Sequence, residues 1–456
     1  MQRIRNRWIR RTVLLVLAAV LSACAGLPEQ APKTAVTAEP TVTADTVLEE
    51  DVVVSQAETV SLPEPTAPPT EAVTAEPTEA PTAEPTETPV PSPATVTIGA
   101  VGDIMIPSQI VEDAKVSGGE YDFTTLFAPF AELFQSVDLM CGNLETPLAG
   151  KEAGYSSKTS EGALVFNAPD SVLDALKADG VDVLTTANNH CLDKDGAGLY
   201  RTIETIRAAG FYQTGTYLNA GDREQPLIVE INGIRIGFAA GTRRPNAAKG
   251  KRTIGEEEAR TAVSYLINDN KITETAAQDI ARVKAAGAEF VIYFAHWDYE
   301  TDDPTAEITK SLARQLLAAG ADCIIGSHPH RIKGAEYMTV QREDGPYTGL
   351  VLYSLGNFTA NNRFELMVGL FTRITLEKDF ATGQVQLKEA GVLPTMTIRR
   401  AGNGPRFTVV PAYADTSRIT GLNAPLTDSE IKTLQNARTH AKKRLGTVDG
   451  LPFLDE

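Results

Sequence analysis

From about residue 95 onward the chain alternates two hydrophobic patterns. Short runs are apolar almost throughout: "TVTIGAVGD" (95–103), "VDLMCGNLE" (137–145), "VDVLTTANNH" (181–190), "AEFVIYFAHW" (288–297), "ADCIIGSHPH" (321–330) and "GLVLYSLGNF" (349–358). Runs of this kind mark strands buried on both faces, as in parallel sheets. Between them lie amphipathic stretches at helical spacing: "DSVLDALKADG", "GLYRTIETIRAAG", "TAAQDIARVKAAG" and "EITKSLARQLLAAG". All four close on Gly, a common helix stop. The alternation predicts an α/β domain of largely parallel strands covered by helices. "PLIVEINGIRIGFAAG" (226–241) breaks the rhythm, because Asn232-Gly233 between apolar runs signals a hairpin. A strand-rich stretch near 366–411 points the same way, so the sheets are expected to be mixed. A polar helix near 427–445 follows.

The first 94 residues follow neither pattern. Arg3, Arg5, Arg7, Arg10 and Arg11 form a basic start, and Val13–Val20 is an apolar run too short for a comfortable membrane span. It ends in Leu21-Ser22-Ala23-Cys24, which resembles the lipobox of bacterial lipoproteins. Residues 1–24 are therefore expected to be an export signal. Cys24 would be lipidated as the new N-terminus, holding the protein outside the cytoplasmic membrane. Residues 25–94 repeat AEPT three times, carry Lys33 as their single base and lack Phe, Tyr and Trp. Such a segment cannot bury enough apolar surface to fold and is expected to be a disordered spacer. The folded domain is then 95–456.

The formal net charge of −17 belongs in good part to that spacer, and no basic stripe is evident. Nucleic acid is an unfavourable partner. Beyond Cys24 the cysteines are Cys141, Cys191 and Cys323, an odd number in apolar settings. They read as reduced, buried thiols.

The candidate chemistry lies where the apolar runs give out. Asp103 ends the first, Asn143 and Glu145 the second, Asn189 and His190 the third. His296 ends the fourth, His328 and His330 the fifth, and Asn357 the sixth. Ligands of open α/β sheets gather at the carboxyl ends of strands. Four of the five histidines in the chain occupy these ends, and His440 alone lies elsewhere, on a helix that looks exposed. His328 and His330, two apart on an extended chain, would point the same way. Imidazoles with carboxylates and Asn carbonyls suit a divalent Mn, Fe or Zn ion. Asp193 and Glu300 follow His190 and His296 at distances that would let them orient an imidazole. Lys158, Arg243, Arg244 and Lys249 are candidate contacts for an anionic substrate, against the plainer reading of solvated surface charges.

The ordered blocks "GDIM", "GNLETPL", "FNAPDSVLDALKADGVDVLTTANNHCLD", "HWDYE", "GADCIIGSHPH" and "LYSLGNF" resemble those of the CapA family. These are capsule and poly-γ-glutamate synthesis proteins related to calcineurin-like metallophosphoesterases. The resemblance runs from about 97 to 360. It implies a four-layer αββα sandwich with mixed sheets and a site at one edge. It also implies divalent metal held by Asp103, Asn189, His296, His328 and His330, with His190 facing substrate. Glu145 is the nearby carboxylate expected to join these ligands, either in place of the usual bridge in a two-ion centre or in a site for one ion. Asn143, Asp193, Glu300 and Asn357 would support those ligands. Two positions depart from the phosphoesterase pattern: Met105 stands where a second histidine ligand is usual, and Asn143 where a bridging Asp is usual.

Two activities remain open on the sequence. One is a metal-dependent hydrolase acting on a phosphoester or on an anionic polymer such as poly-γ-glutamate. The other is a non-catalytic accessory that binds polymer or a membrane partner, for instance within a polymer synthase complex. An extracellular nucleotidase is a third, weaker reading.

Overall fold

The computed structural model describes residues 93–160, 162–246, 254–401 and 405–455. The export signal, Cys24, nearly all of the spacer and Lys249 lie outside the described residues. Two mixed sheets face each other. The first has the order β14-β13-β12-β1-β2-β3-β4. Here β1 is Ala94–Ile104, β2 Leu139–Leu144, β3 Val183–Thr185, β4 Tyr212–Thr214, β12 Val368–Asp379, β13 Gln384–Arg399 and β14 Phe407–Pro411. The second has the order β9-β10-β8-β7-β6-β5. Its strands are β5 Leu227–Ile231, β6 Ile234–Thr242, β7 Phe290–His296, β8 Cys323–Ser327, β9 Ala335–Arg342 and β10 Gly345–Leu352. A short β11, Asn357–Thr359, pairs in parallel with the end of β1.

Each sheet is parallel at its centre and antiparallel at an edge. β1 to β4 run parallel, as do β6, β7, β8 and β10. β12 to β14 continue the first sheet antiparallel, and β5 and β9 close the second the same way. The Asn232-Gly233 hairpin joins β5 to β6, with positive φ at both residues (53° and 74°), the requirement of a type I′ turn.

Burial on both faces explains the unbroken apolar runs. Ile98 and Ala100 of β1 meet Ile292 and Phe294 of β7 in the core between the sheets. Val101 of β1 points outward to Phe127, Phe130 and the helix α1 (Ser171–Asp179). Val291 and Tyr293 of β7 point outward to α3 (Glu274–Ala285) and α4 (Glu307–Ala318). A further helix, α2 (Asp195–Ala208), follows the His190 loop. The result is an αββα sandwich of four layers. The closing helix, α5 (Asp428–Leu445), contacts β12 and β13, and its Leu434, Ala437, Ala441 and Leu445 join the core between the sheets. Cys141, Cys191 and Cys323 are free and buried.

Two glycines allow the site edge to close. At Gly102 the pairing of β1 with β2 slips, so that Val101 faces Gly142 while Asp103 faces Asn143. A Cβ there would lie 1.8 Å from the Gly356 carbonyl oxygen. That same carbonyl accepts the Asp103 N–H at 3.0 Å. At Gly326 a Cβ would lie 2.0 Å from the Tyr353 carbonyl oxygen. Bulges beside a site commonly re-aim a side chain in this way.

Candidate metal centre

The carboxyl ends of the central strands of both sheets meet at one edge. Register puts Asp103 opposite both Asn143 and Asn357 on the first sheet, and His296 opposite Ser327 on the second. Asp103 is fully buried and receives three contacts. Its Oδ1 accepts from Asn143 Nδ2 at 2.7 Å, its Oδ2 accepts from the His328 N–H at 3.2 Å, and His330 Nδ1 lies 3.3 Å from Oδ2. Burial alone would raise its pKa, but the His330 hydrogen bond and the charges of His296 and His330 hold it well below the usual carboxylate range.

Glu145, just past β2, is also fully buried, and among the described residues neither of its oxygens has a hydrogen-bond partner. Oε1 lies 3.6 Å from His296 Nε2 and 3.8 Å from His330 Nε2. Burial, then the charge of Asp103, pushes its carboxyl well above the usual range. His328 Nδ1 is likewise buried without a partner. Two donor sets result, Asp103–Glu145–His296 and Glu145–His328–His330, each with its ligand atoms within 4.8 Å of one another. Unsatisfied buried acceptors are costly, and a cation is the partner that meets both carboxylates and the neutral imidazoles at once. The residues present therefore fit a divalent metal, with Glu145 common to both sets.

His296 and His330 both face Glu145 with Nε2 and are held at Nδ1. His296 Nδ1 is 2.9 Å from Ser327 Oγ, and its Nε2 is 2.9 Å from Asn189 Oδ1. His330 Nδ1 donates to Asn357 Oδ1 at 2.9 Å, while Asn357 Nδ2 donates to the Leu366 carbonyl at 2.7 Å. The His328 and His296 rings lie 4.7 Å apart. Burial and the neighbouring His330 charge bring the His328 pKa down to about 4, leaving it neutral and able to act as a ligand.

His190 stands on the wall of a cleft of about 810 Å³ that opens on the centre. Its Nδ1 donates to Asp193 Oδ2 at 2.7 Å, and the same oxygen accepts the Phe166 N–H at 2.7 Å. Phe166 packs edge-on to the imidazole, 4.4 Å between centroids. Met105, Lys158 and Glu300 line the same cleft.

Several sequence expectations need correction. His328 and His330 do not follow one another along an extended chain. β8 stops at Ser327, and both residues have positive φ (93° and 57°), so a tight turn brings them to Glu145. Asn357 does not end the sixth strand. β10 ends at Leu352, and Asn357 opens β11 against Asp103. Glu300 is exposed on the rim, and no hydrogen bond joins it to an imidazole among the described residues. Arg243 and Arg244 line a separate groove, where the Arg243 guanidinium stacks 4.6 Å over the Tyr299 ring. His440 is half-buried, with its ring edge-on to Phe364. Two residues were missed. Asn188 donates to Asn143 Oδ1 (3.3 Å) and the Leu144 carbonyl (2.9 Å) and accepts the His190 N–H (3.2 Å). The other is Ser327, described above. A second Asn beside Asn189 was the only available signal for the first.

Comparison with known proteins places this geometry. Residues 97–362 match the family model described as bacterial capsule synthesis protein PGA_cap. A capsule biosynthesis protein CapA of Bacillus anthracis is 26% identical over 303 residues, which cover 65% of this chain and 65% of the relative. A PGA biosynthesis protein CapA of Bacillus subtilis (strain 168) is 27% identical over 297 residues, covering 64% of this chain and 67% of the relative. Among solved structures, a phosphatase from Mycoplasma pneumoniae aligns over 66% of this chain and 94% of its own, at 10% identity and a TM-score of 0.36. The family match spans more than half of the chain and all the strand ends that carry the candidate ligands, and the chain belongs to the bacterial capsule synthesis protein family PGA_cap.

Proposed function

We propose that this protein is a metal-dependent hydrolase of capsule or poly-γ-glutamate synthesis or export, tethered outside the cell membrane by a lipid on Cys24. The observation that carries the reading is Glu145: buried, with both oxygens unbonded, and common to two donor sets. Asp103, Glu145, His296, His328 and His330 would hold one or two ions, with Asn189 as an additional oxygen donor. N and O donors of this mix suit Mn, Fe or Zn. When bound, such an ion supplies a hydroxide near neutral pH and polarises the oxygen of the bond to be cut.

The remaining steps fall to the chain's own side chains. Asp193 holds His190 Nδ1, so Nε2 is the atom left to carry a proton to the leaving group. Asn357 and Ser327 fix the His330 and His296 rings. The cleft admits a phosphoester or a segment of anionic polymer, and any assembly with a polymer synthase would form around that activity. The test is elemental analysis of the purified protein, with turnover of phosphoester and poly-γ-glutamate substrates. We expect one or two ions per chain, and turnover lost on chelation and restored by metal. Full turnover in metal-free protein would refute the reading.

One observation favours a non-catalytic accessory instead: Asn143 replaces a bridging carboxylate and spends its amide on Asp103 Oδ1. His190→Ala and His328→Ala separate the two. Normal polymer output from both variants at normal protein levels would favour the accessory.

A further inference from the structure

The C-terminal helix α5 lies beyond residues 97–362, yet one of its faces reaches the loops that carry the candidate ligands. Arg444 donates from Nε to the Ile332 carbonyl at 3.1 Å and from Nη1 to the Asp302 carbonyl at 2.9 Å. Ile332 is two residues past His330, and Asp302 is two past Glu300. One guanidinium thus bridges the histidine turn and the 298–305 segment between β7 and α4. At its start the segment is held by Thr309, which donates to the buried Asp298 at 3.1 Å, and by Arg243 over Tyr299, whereas further on Asp302 is 72% exposed. Residues 301–303 are tied further by the same histidine turn. Lys333 Nζ donates to the Thr301 and Asp303 carbonyls (3.1 and 2.5 Å), and Arg331 Nε pairs with Asp302 Oδ1 at 2.6 Å.

One helical turn before Arg444, on the same face, His440 packs edge-on to Phe364, 5.8 Å between centroids. Phe364 opens the 3-10 turn Phe364–Leu366. The Leu366 carbonyl of that turn holds the Asn357 amide, and Asn357 holds His330. His330 is therefore supported along two routes, and both end on α5. The helix itself is firmly seated. Its apolar face joins the core between the sheets, Thr427 and Glu430 form a capping box, and Arg438 pairs with Asp455 at 2.7 Å.

We propose that α5 is a strut for the candidate metal centre and that Arg444 is its positioning residue, fixing the His328–His330 turn relative to the 298–305 segment. The effect on metal rests on the function proposed above; the effect on the loops does not.

The test uses the full chain with Arg444→Ala, Arg444→Lys and, as a control at an exposed position of the same helix, Lys432→Ala. Two quantities are measured: hydrogen–deuterium exchange in peptides covering 298–306 and 328–334, and Mn²⁺ affinity by calorimetric titration. Arg444→Ala is expected to speed exchange in both loops at least tenfold while α5 stays protected. It is also expected to weaken Mn²⁺ about 10- to 100-fold, the usual effect of losing a ligand's support. Arg444→Lys, which keeps one of the two donations, should recover part of both. Lys432→Ala should leave both at the parent level. The proposal is overturned if Arg444→Ala leaves loop exchange unchanged, or if Lys432→Ala has the same effect as Arg444→Ala. A parent protein that binds no Mn²⁺ would count against the metal reading, and the exchange measurement would then decide the strut by itself.

Discussion

Glu145 Oε1 stands 3.6 Å from His296 Nε2, and no donor among the described residues makes a hydrogen bond to either oxygen of that carboxylate. A group so placed burdens the metal-free fold and becomes an asset when a cation arrives. Glu145→Gln removes the carboxylate a cation would need and supplies an amide within hydrogen-bonding reach of Asp103. The metal-free variant is expected to equal or exceed the parent in stability, by about 1–2 kcal/mol, while binding Mn²⁺ at least tenfold more weakly. Urea unfolding with and without Mn²⁺ reads both effects. A variant that is less stable and still binds metal normally would contradict this account of Glu145.

His328 holds φ at +93°, a conformation costing a side-chain-bearing residue roughly 1 kcal/mol or more. His328→Gly relieves that strain and removes a donor. The metal-free melting temperature is expected to hold or rise, while metal affinity falls at least tenfold. A marked loss of melting temperature would show that the imidazole packing against His296 outweighs the strain.

Gly102→Ala places a methyl 1.8 Å from the Gly356 carbonyl oxygen. Backbone cannot yield there without separating β1 from β11. We expect a loss of about 3 kcal/mol or more, seen as a lower urea midpoint. A loss under about 1 kcal/mol would mean that the two strands can part at little cost.

Asp179 gives a pH signature remote from the site. Burial raises its carboxyl from 3.8 to about 6 in the folded state. The fold therefore holds the proton more tightly than the unfolded chain does. The resulting stability is fully present below about pH 4 and is lost as pH rises through 6. Asp179→Asn, which does not titrate, should match the parent near pH 4 and exceed it by roughly 1–3 kcal/mol at pH 7.5. Melting curves at the two pH values check this, and an equal offset at both would contradict it.

The layers of the fold were legible because doubly buried strands cannot alternate polar and apolar residues. The runs ending at Asp103 and His296 announce both sheets for that reason. Asn232-Gly233 was readable because few other dipeptides accept positive φ twice. The site was legible as a set of strand ends, but its internal geometry was not. Histidines at positive φ carry no local sequence signal, so the turn at His328 and His330 read as a continuing strand. Asn188 and Asn189 are chemically identical neighbours, and only tertiary placement separates the one that braces Asn143 from the one that meets His296. Arg444 acts on Ile332 from 112 residues away, beyond the reach of any local pattern.

The donors come from both halves of the sandwich, Asp103 and Glu145 from one sheet and His296, His328 and His330 from the other. A divalent cation gripped by both would rivet the two sheets together, and its binding energy would add directly to folding. At a free concentration a hundred times its dissociation constant, that contribution is about 2.7 kcal/mol. Stripping the ion should therefore lower the melting temperature of the whole domain, as well as any turnover. Were the protein to work outside the cell, as proposed above, metal supply would then set how long the fold endures.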